Sequence, residues 1–163
     1  MDAFKLLKED HKKVKEMFKD WEALGDQAGK ARKKISDKVF EELEIHTTIE
    51  EEIFYPALRG CGDEKLENLL NEAFEEHAIV KELIDDMMTL DSEDEVFRAK
   101  FKVMRENVEH HIAEEEGDLF PRAEKALKES SEEVGQEMKE RKAELSGNLS
   151  KHKPEKEEGS RRI

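Results

Sequence analysis

The sequence predicts an all-α protein, an antiparallel up-down-up-down four-helix bundle. Apolar residues recur at three- and four-residue spacing through most of its 163 residues, which is the period of an amphipathic helix. Nothing resembles strands with period-2 alternation and hairpin turns, and the chain has only three prolines. Short polar connections between four long amphipathic segments are typical of an antiparallel bundle.

Each helix has its own start and stop signals. The first is predicted over residues 3–24, with Asp2 as N-cap and Gly25 as its stop, and the second over 31–58. The third is predicted over 64–90 behind the N-cap Asp63, and the fourth over 95–127, where Ser92 and Glu95 have capping-box spacing. We expect a bundle domain over 1–127, a short fifth helix over 128–146 and a flexible polar tail over 147–163.

Composition excludes two classes of partner. Charged residues make up 44% of the chain and the formal net charge is −14, so nucleic acid and anionic membrane surfaces are expected to repel it. The first residues, "MDAFKLLKEDHKKVK", lack the apolar run of a signal peptide, and no stretch approaches membrane-spanning length. The single cysteine, Cys61, fits a reducing compartment, and we predict a cytoplasmic protein.

Two stretches of the chain repeat one pattern. "HTTIEEEIFYP" at 46–56 and "HIAEEEGDLFP" at 111–121 each place a His four residues before a Glu, and a lone His precedes each stretch. Residues four apart share a helix face. Buried together, these side chains would provide ligands for two transition-metal ions; the alternative is a coincidence of polar core residues. The candidate ligands are His11, His46, Glu50, His77, His111 and Glu115.

Helical phase distinguishes His111 from its neighbour. His111 continues the apolar stripe of the fourth helix, whereas His110 lies on the polar face and is predicted to be outside the site. Four further acidic residues are most simply solvated charges: Glu51, Glu52, Glu114 and Glu116. Pro56 and Pro121 are predicted to bend the second and fourth helices near the motif glutamates.

Over about residues 1–127 these motifs resemble the hemerythrin-like, or HHE cation-binding, domain family. The resemblance implies a non-haem centre of two iron ions, joined by an oxo or hydroxo bridge and by the carboxylates of Glu50 and Glu115. Nitrogen-rich ligation also suits iron better than magnesium or calcium.

By analogy with the family, His11 and His46 would bind one iron and His77 and His111 the other. The chain departs from the oxygen-carrying members, which are expected to supply a second His from the third helix. Here the positions four before and four after His77 are Ala73 and Lys81. An exchangeable position at the second iron is therefore predicted, unless Lys81 or water fills it.

The resemblance implies a protein whose ligand is a small diatomic gas or peroxide. We favour peroxide consumption of the catalase or peroxidase type, because two adjacent irons can share a two-electron change. The alternatives are oxygen, iron or redox sensing, oxygen binding without turnover, and iron-centre repair under nitrosative stress. A structural bundle without metal is a further alternative. A protein partner cannot be named from the sequence.

Overall fold

The computed structural model describes residues 1–152, with side chains through residue 147, and all regular structure in this part of the chain is helical. The helices are α1 (Ala3–Leu24), α2 (Gly29–Ile49), α3 (Tyr55–Leu58), α4 (Glu64–Met87), α5 (Glu95–Glu114), α6 (Phe120–Ala126) and α7 (Ser131–His152). None of the helices in this described part has the length and apolar composition that a bilayer span requires.

Two of the predicted helices contain a widened turn. A first π segment, Glu50–Phe54, joins α2 to α3, and a second π segment, Glu115–Leu119, joins α5 to α6. In both, the backbone N–H of the residue after the segment donates to the carbonyl of its first residue, five positions back. Pro56 and Pro121 each lie two residues after the end of a segment, and each lacks the N–H that a regular α-helix would use there.

Local signals explain the other helix ends. The side chains of Asp2 and Asp63 accept hydrogen bonds from the backbone of the first turns of α1 and α4, as predicted. The cap of α5 is Asp94, whose side chain accepts from the N–H of Val96, and not Ser92. Gly25 ends α1 with a φ of 76°, a left-handed value that glycine adopts without steric cost.

The last helix is longer than the sequence predicted. α7 begins at Ser131 and continues to His152, whereas the short fifth helix was predicted over 128–146 and the flexible tail from 147. The remaining residues of that predicted tail, 153–163, lie outside the described part of the chain.

Helix packing produces two apolar clusters with a polar layer between them. α1 packs on α2, α4 packs on α5, and α7 packs on both α1 and α2. One cluster includes Leu7, Ile49 and Leu119, and the other includes Val14 and Leu43 with their neighbours on α4 and α5. Along α1, α2, α4 and α5 the predicted ligands come between the two clusters, so apolar side chains enclose them from both ends.

Candidate metal centre

The structure brings the six predicted ligands together. Ligand atoms of His11, His46, Glu50 and Glu115 lie within 4.8 Å of one another, and Glu50 forms a second such group with His77 and His111. The residues come from α1, α2, α4, α5 and the first position of each π segment. All are buried except His111, whose side chain is 12% exposed.

Each glutamate divides its two oxygens between two histidine pairs. Oε2 of Glu50 lies 3.4 Å from Nε2 of His46, and its Oε1 lies 3.0 Å from Nε2 of His77. Oε1 of Glu115 lies 3.2 Å from Nε2 of His11, and its Oε2 lies 3.3 Å from Nε2 of His111. The ring centroids of His11 and His46 are 5.0 Å apart and those of His77 and His111 are 5.1 Å apart, so the four rings form two neighbouring pairs.

Each of the four imidazole rings has a carboxylate at its Nδ1 atom, on the side away from the centre. Nδ1 of His11 lies 2.7 Å from Glu116 and Nδ1 of His46 lies 2.9 Å from Asp10. Nδ1 of His77 lies 2.6 Å from Glu51, and Nδ1 of His111 lies 2.5 Å from Glu76. A ring that donates Nδ1–H to a carboxylate presents its Nε2 lone pair to the centre, which is the usual arrangement around a metal-binding histidine.

Glu51 and Glu116 are therefore not the solvated charges that the sequence suggested. They belong to runs of three consecutive glutamates, so only the three-dimensional packing distinguishes them from their neighbours in the run. Asp10 and Glu76 had a usable signal, because each directly precedes the lone His of its repeat.

The donor set fits a cation. Five buried atoms at the centre have no hydrogen-bond partner among the described residues: His11 Nε2, His46 Nε2, Glu50 Oε2, His111 Nε2 and Glu115 Oε1. Several lie within ion-pair distance of each other but outside hydrogen-bond geometry. Buried polar atoms without partners are costly, and two metal ions, one for each of the two ligand groups, would satisfy them all.

In the metal-free chain protons compensate the carboxylates. Burial disfavours a charged ring, but the charge of Glu50 and the hydrogen bond to Asp10 outweigh it and raise the pKa of His46 to about 10. Burial likewise opposes ionisation of Glu115, yet the charge of His111 and the hydrogen bond from His11 hold the pKa of Glu115 well below its usual range. A bound metal would replace these ring protons.

Tyr55 is a site residue that sequence reasoning missed. Its hydroxyl donates to Oε2 of Glu115 at 2.5 Å, lies 3.0 Å from Oε1 of Glu50 and 3.4 Å from Nε2 of His77. Burial and the charges of Glu115 and Glu50 raise its pKa well above the ordinary value. Phe120 takes the equivalent position in the second repeat and stacks on His11 at a centroid distance of 5.9 Å.

The first π segment explains how Tyr55 reaches Glu50. In an α-helix, residues five apart point in clearly different directions, whereas a π turn, closed by a bond between residues five apart, places them on one face. The side chains of Glu50 and Tyr55, five residues apart, form a hydrogen bond in this way. The only sequence signal was the tyrosine before Pro56.

A small cavity adjoins the four imidazole rings. Its volume is about 30 Å³ and its apolar walls are Val14, Leu43, Val80, Val108 and Ile112. Because a buried water needs roughly 10–15 Å³ of such space, the cavity has room for a ligand of two heavy atoms. Lys81 does not point into this region, because its ammonium group binds Glu51 at 3.1 and 3.3 Å.

His110 lies apart from the centre, as predicted. Its exposed ring groups with Glu76 and Glu114 on the surface side of α5. Cys61 is also exposed, in the connection between α3 and α4.

The fold and the buried His and Glu cluster define a helical protein with a candidate cation-binding centre. The hemerythrin HHE cation binding domain matches residues 2–123, so the chain belongs to that family. A hemerythrin HHE cation binding domain-containing protein from Mycobacterium kansasii has the same fold. Its crystal structure aligns with a TM-score of 0.79 and 24% identity over 93% of this chain and 91% of that chain.

Curated relatives are distant. An uncharacterised protein of Mycobacterium tuberculosis is 27% identical over 127 residues, which are 74% of this chain and 71% of that protein. A DNA nickase of Nostoc sp. is 25% identical over 126 residues, which are 74% of this chain and only 33% of the nickase. This chain thus corresponds to about a third of the nickase and gives no access to the activity of the whole relative.

Proposed function

We propose that this chain binds two iron ions at the buried centre and that the iron-loaded protein consumes hydrogen peroxide. The observation that carries the metal proposal is the division of Glu50 and Glu115 between the two histidine pairs. A carboxylate with one oxygen for each pair is suited to bridge two ions. His11 and His46 would then hold one ion, and the other pair the second.

Iron is proposed because of the donor chemistry. Four imidazoles with two carboxylates suit a first-row transition metal, and magnesium and calcium favour all-oxygen sites. When bound, two adjacent irons, joined by an oxo or hydroxo bridge, would supply a two-electron change and coordination positions for a small ligand.

The chain's own residues select the ligand. The apolar cavity of about 30 Å³ excludes charged and bulky molecules and admits uncharged ones such as peroxide, oxygen or nitric oxide. Tyr55 stays protonated, because its pKa is raised by burial and by both carboxylates, and so holds a proton beside the centre. Of the two residues one turn from His77 on α4, Ala73 has no ligand atom and Lys81 binds Glu51. Neither would therefore supply a second nitrogen ligand to the ion at His77 and His111.

Metal content tests the first half of this proposal. Anaerobic iron loading should give about two irons per chain, since the site offers two groups of ligands. Replacing Glu50 or Glu115 by Ala should lose iron, whereas His110→Ala, on the exposed face, should keep both. Elemental analysis that finds no transition metal, or equal loss in all three variants, contradicts the assignment.

Peroxide turnover tests the second half. We expect the diiron protein to evolve oxygen from peroxide faster than the Glu115→Ala variant or free iron does. If it is no faster, and the reduced protein instead forms an oxygen adduct that reverses under vacuum, the protein is an oxygen carrier or sensor.

We propose the antiparallel up-down-up-down arrangement for the domain over residues 1–127, supported by the short connections and by the packing of each helix pair. A cytoplasmic location is proposed from the single cysteine. The net charge of −14 supports small molecules over nucleic acid as ligands.

A further inference from the structure

The last helix, α7, lies beyond residues 2–123, which match the family. It packs on α1, α2 and the first π segment. Its residues Val134 and Met138 belong to the apolar cluster that includes Leu7 and Ile49. At Gly135 the helix comes so close to the backbone of residues 1–3 that a Cβ would collide with it. α7 is thus an integral part of the wall beside His11 and His46.

One side chain of α7 reaches toward the centre. Nζ of Lys142 donates to Oδ1 of Asp10 at 2.5 Å, and the other oxygen of Asp10 accepts from Nδ1 of His46 at 2.9 Å. Asp10 is only 4% exposed, and the three residues come from three different helices. The carboxylate is therefore fixed in one orientation between an ammonium group and an imidazole ring.

The ammonium group matters most when a metal is bound. A histidine that holds a metal through Nε2 is a neutral ring that donates Nδ1–H. Asp10 would then be a buried anion with only a neutral ring beside it, and a buried charge without a counter-charge is costly. Lys142 supplies the counter-charge and keeps Asp10 aligned with His46.

The second histidine pair has a corresponding lysine. Nζ of Lys81 binds both oxygens of Glu51, and Oε2 of Glu51 lies 2.6 Å from Nδ1 of His77. Each pair thus has one ring backed by a carboxylate and a lysine. The lysine of the second pair belongs to α4 itself, whereas that of the first pair comes from α7.

We propose that Lys142 is a positioning residue for the metal ion at His11 and His46, and that Lys81 is its counterpart at His77 and His111. The inference rests on the proposed metal function. It gives α7, outside the segment matched by the family, a specific role in metal affinity beyond its packing.

Cobalt binding by the full metal-free chain tests this inference. Co²⁺ is the probe because its visible spectrum and its hyperfine-shifted ring N–H signals report on individual histidine ligands. Lys142→Met should weaken one of the two equivalents about 10-fold or more, the usual cost of losing a group that orients a ligand, and should move the N–H signal of one ring. Lys81→Met should weaken the other equivalent.

Matched variants distinguish positioning from packing. Lys139→Met, at an exposed position of the same helix, should bind both equivalents as the wild type does. Lys142→Arg keeps the charge and should recover most of the lost affinity. If Lys142→Met does not fold, Lys142→Gln, which is shorter and polar, takes its place.

Two results would overturn the inference while leaving the metal function intact. In one, the Lys142 variant binds both equivalents with wild-type affinity and unchanged N–H signals. In the other, the affinities for both cobalt equivalents fall equally and the thermal unfolding midpoint falls with them, which indicates a packing role alone. Wild-type protein that binds no cobalt would instead refute the proposed function itself.

Discussion

At the scale of single residues, the sequence was sufficient to predict the six His and Glu side chains that converge in the core, and insufficient for the groups behind them. These six candidate ligands were predicted because helical phase and the repeat agree at each position, for example in choosing His111 over His110. Glu51 and Glu116 were missed because each stands in a run of glutamates that differ only in the direction in which the side chain leaves the helix. That direction depends on the π segments, which the sequence did not predict. Tyr55 was missed for the same reason.

Tyr55 allows a direct test at this scale because it is the only tyrosine of the chain. Burial and the charges of Glu115 and Glu50 raise its pKa well above the model-compound value of 10.0. We expect the tyrosinate absorbance of the folded, metal-free protein to stay flat as pH rises through 10 and to appear only with unfolding. In urea the same side chain should ionise near pH 10. Ionisation near that pH in the folded protein would contradict the site geometry.

At the scale of helices, the pattern located every long element but not its fine structure. The predicted second and fourth helices cover α2 with α3 and α5 with α6, and π segments lie just before Pro56 and Pro121, where bends were expected. Asp94 caps α5 although Ser92 had the capping-box spacing, because several neighbouring residues in that connection can cap. The end of α7 was predicted too early because its apolar residues are widely spaced.

Gly135 tests the docking of α7 on the N-terminus. A methyl group at this position would meet the backbone of Met1, Asp2 and Ala3, so Gly135→Ala should destabilise the protein by about 1–3 kcal/mol, as overpacking does. Gly147→Ala is the matched control, because nothing surrounds its Cβ position, and alanine there should stabilise the helix by up to about 1 kcal/mol. Urea unfolding followed by circular dichroism measures both. A similar effect of the two substitutions would show that α7 does not pack as described.

At the scale of the whole molecule, the buried centre links folding to protons and metal. The pKa of His46 rises from 6.5 to about 10 on folding, because the charge of Glu50 and the hydrogen bond to Asp10 outweigh burial. Its contribution to stability is therefore complete below about pH 6.5 and is lost as pH rises toward 10. Glu115 acts oppositely, since its pKa falls well below 4.5, and its contribution is lost in acid below that value.

We therefore expect the urea midpoint of the metal-free protein to fall between pH 6.5 and 10, in the range set by His46. Metal affinity should rise over the same range, because a metal competes with protons for the Nε2 atoms. His46→Gln should flatten the decline, whereas His110→Gln, at an exposed ring, should not. A metal-free midpoint that stays constant over this range in the wild type would refute the linkage.

The π segments also have a consequence for sequence comparison. A π turn is equivalent to an α-helix that has gained one residue, so a relative with a regular helix here should align with a one-residue gap after the glutamate of His-x-x-x-Glu. In such a relative the aromatic residue before the proline would follow the glutamate by four residues instead of five, and it would still lie on the same helix face as the carboxylate. A relative with a regular helix and no gap would instead turn that aromatic residue away from the glutamate, because residues five apart in an α-helix point in different directions.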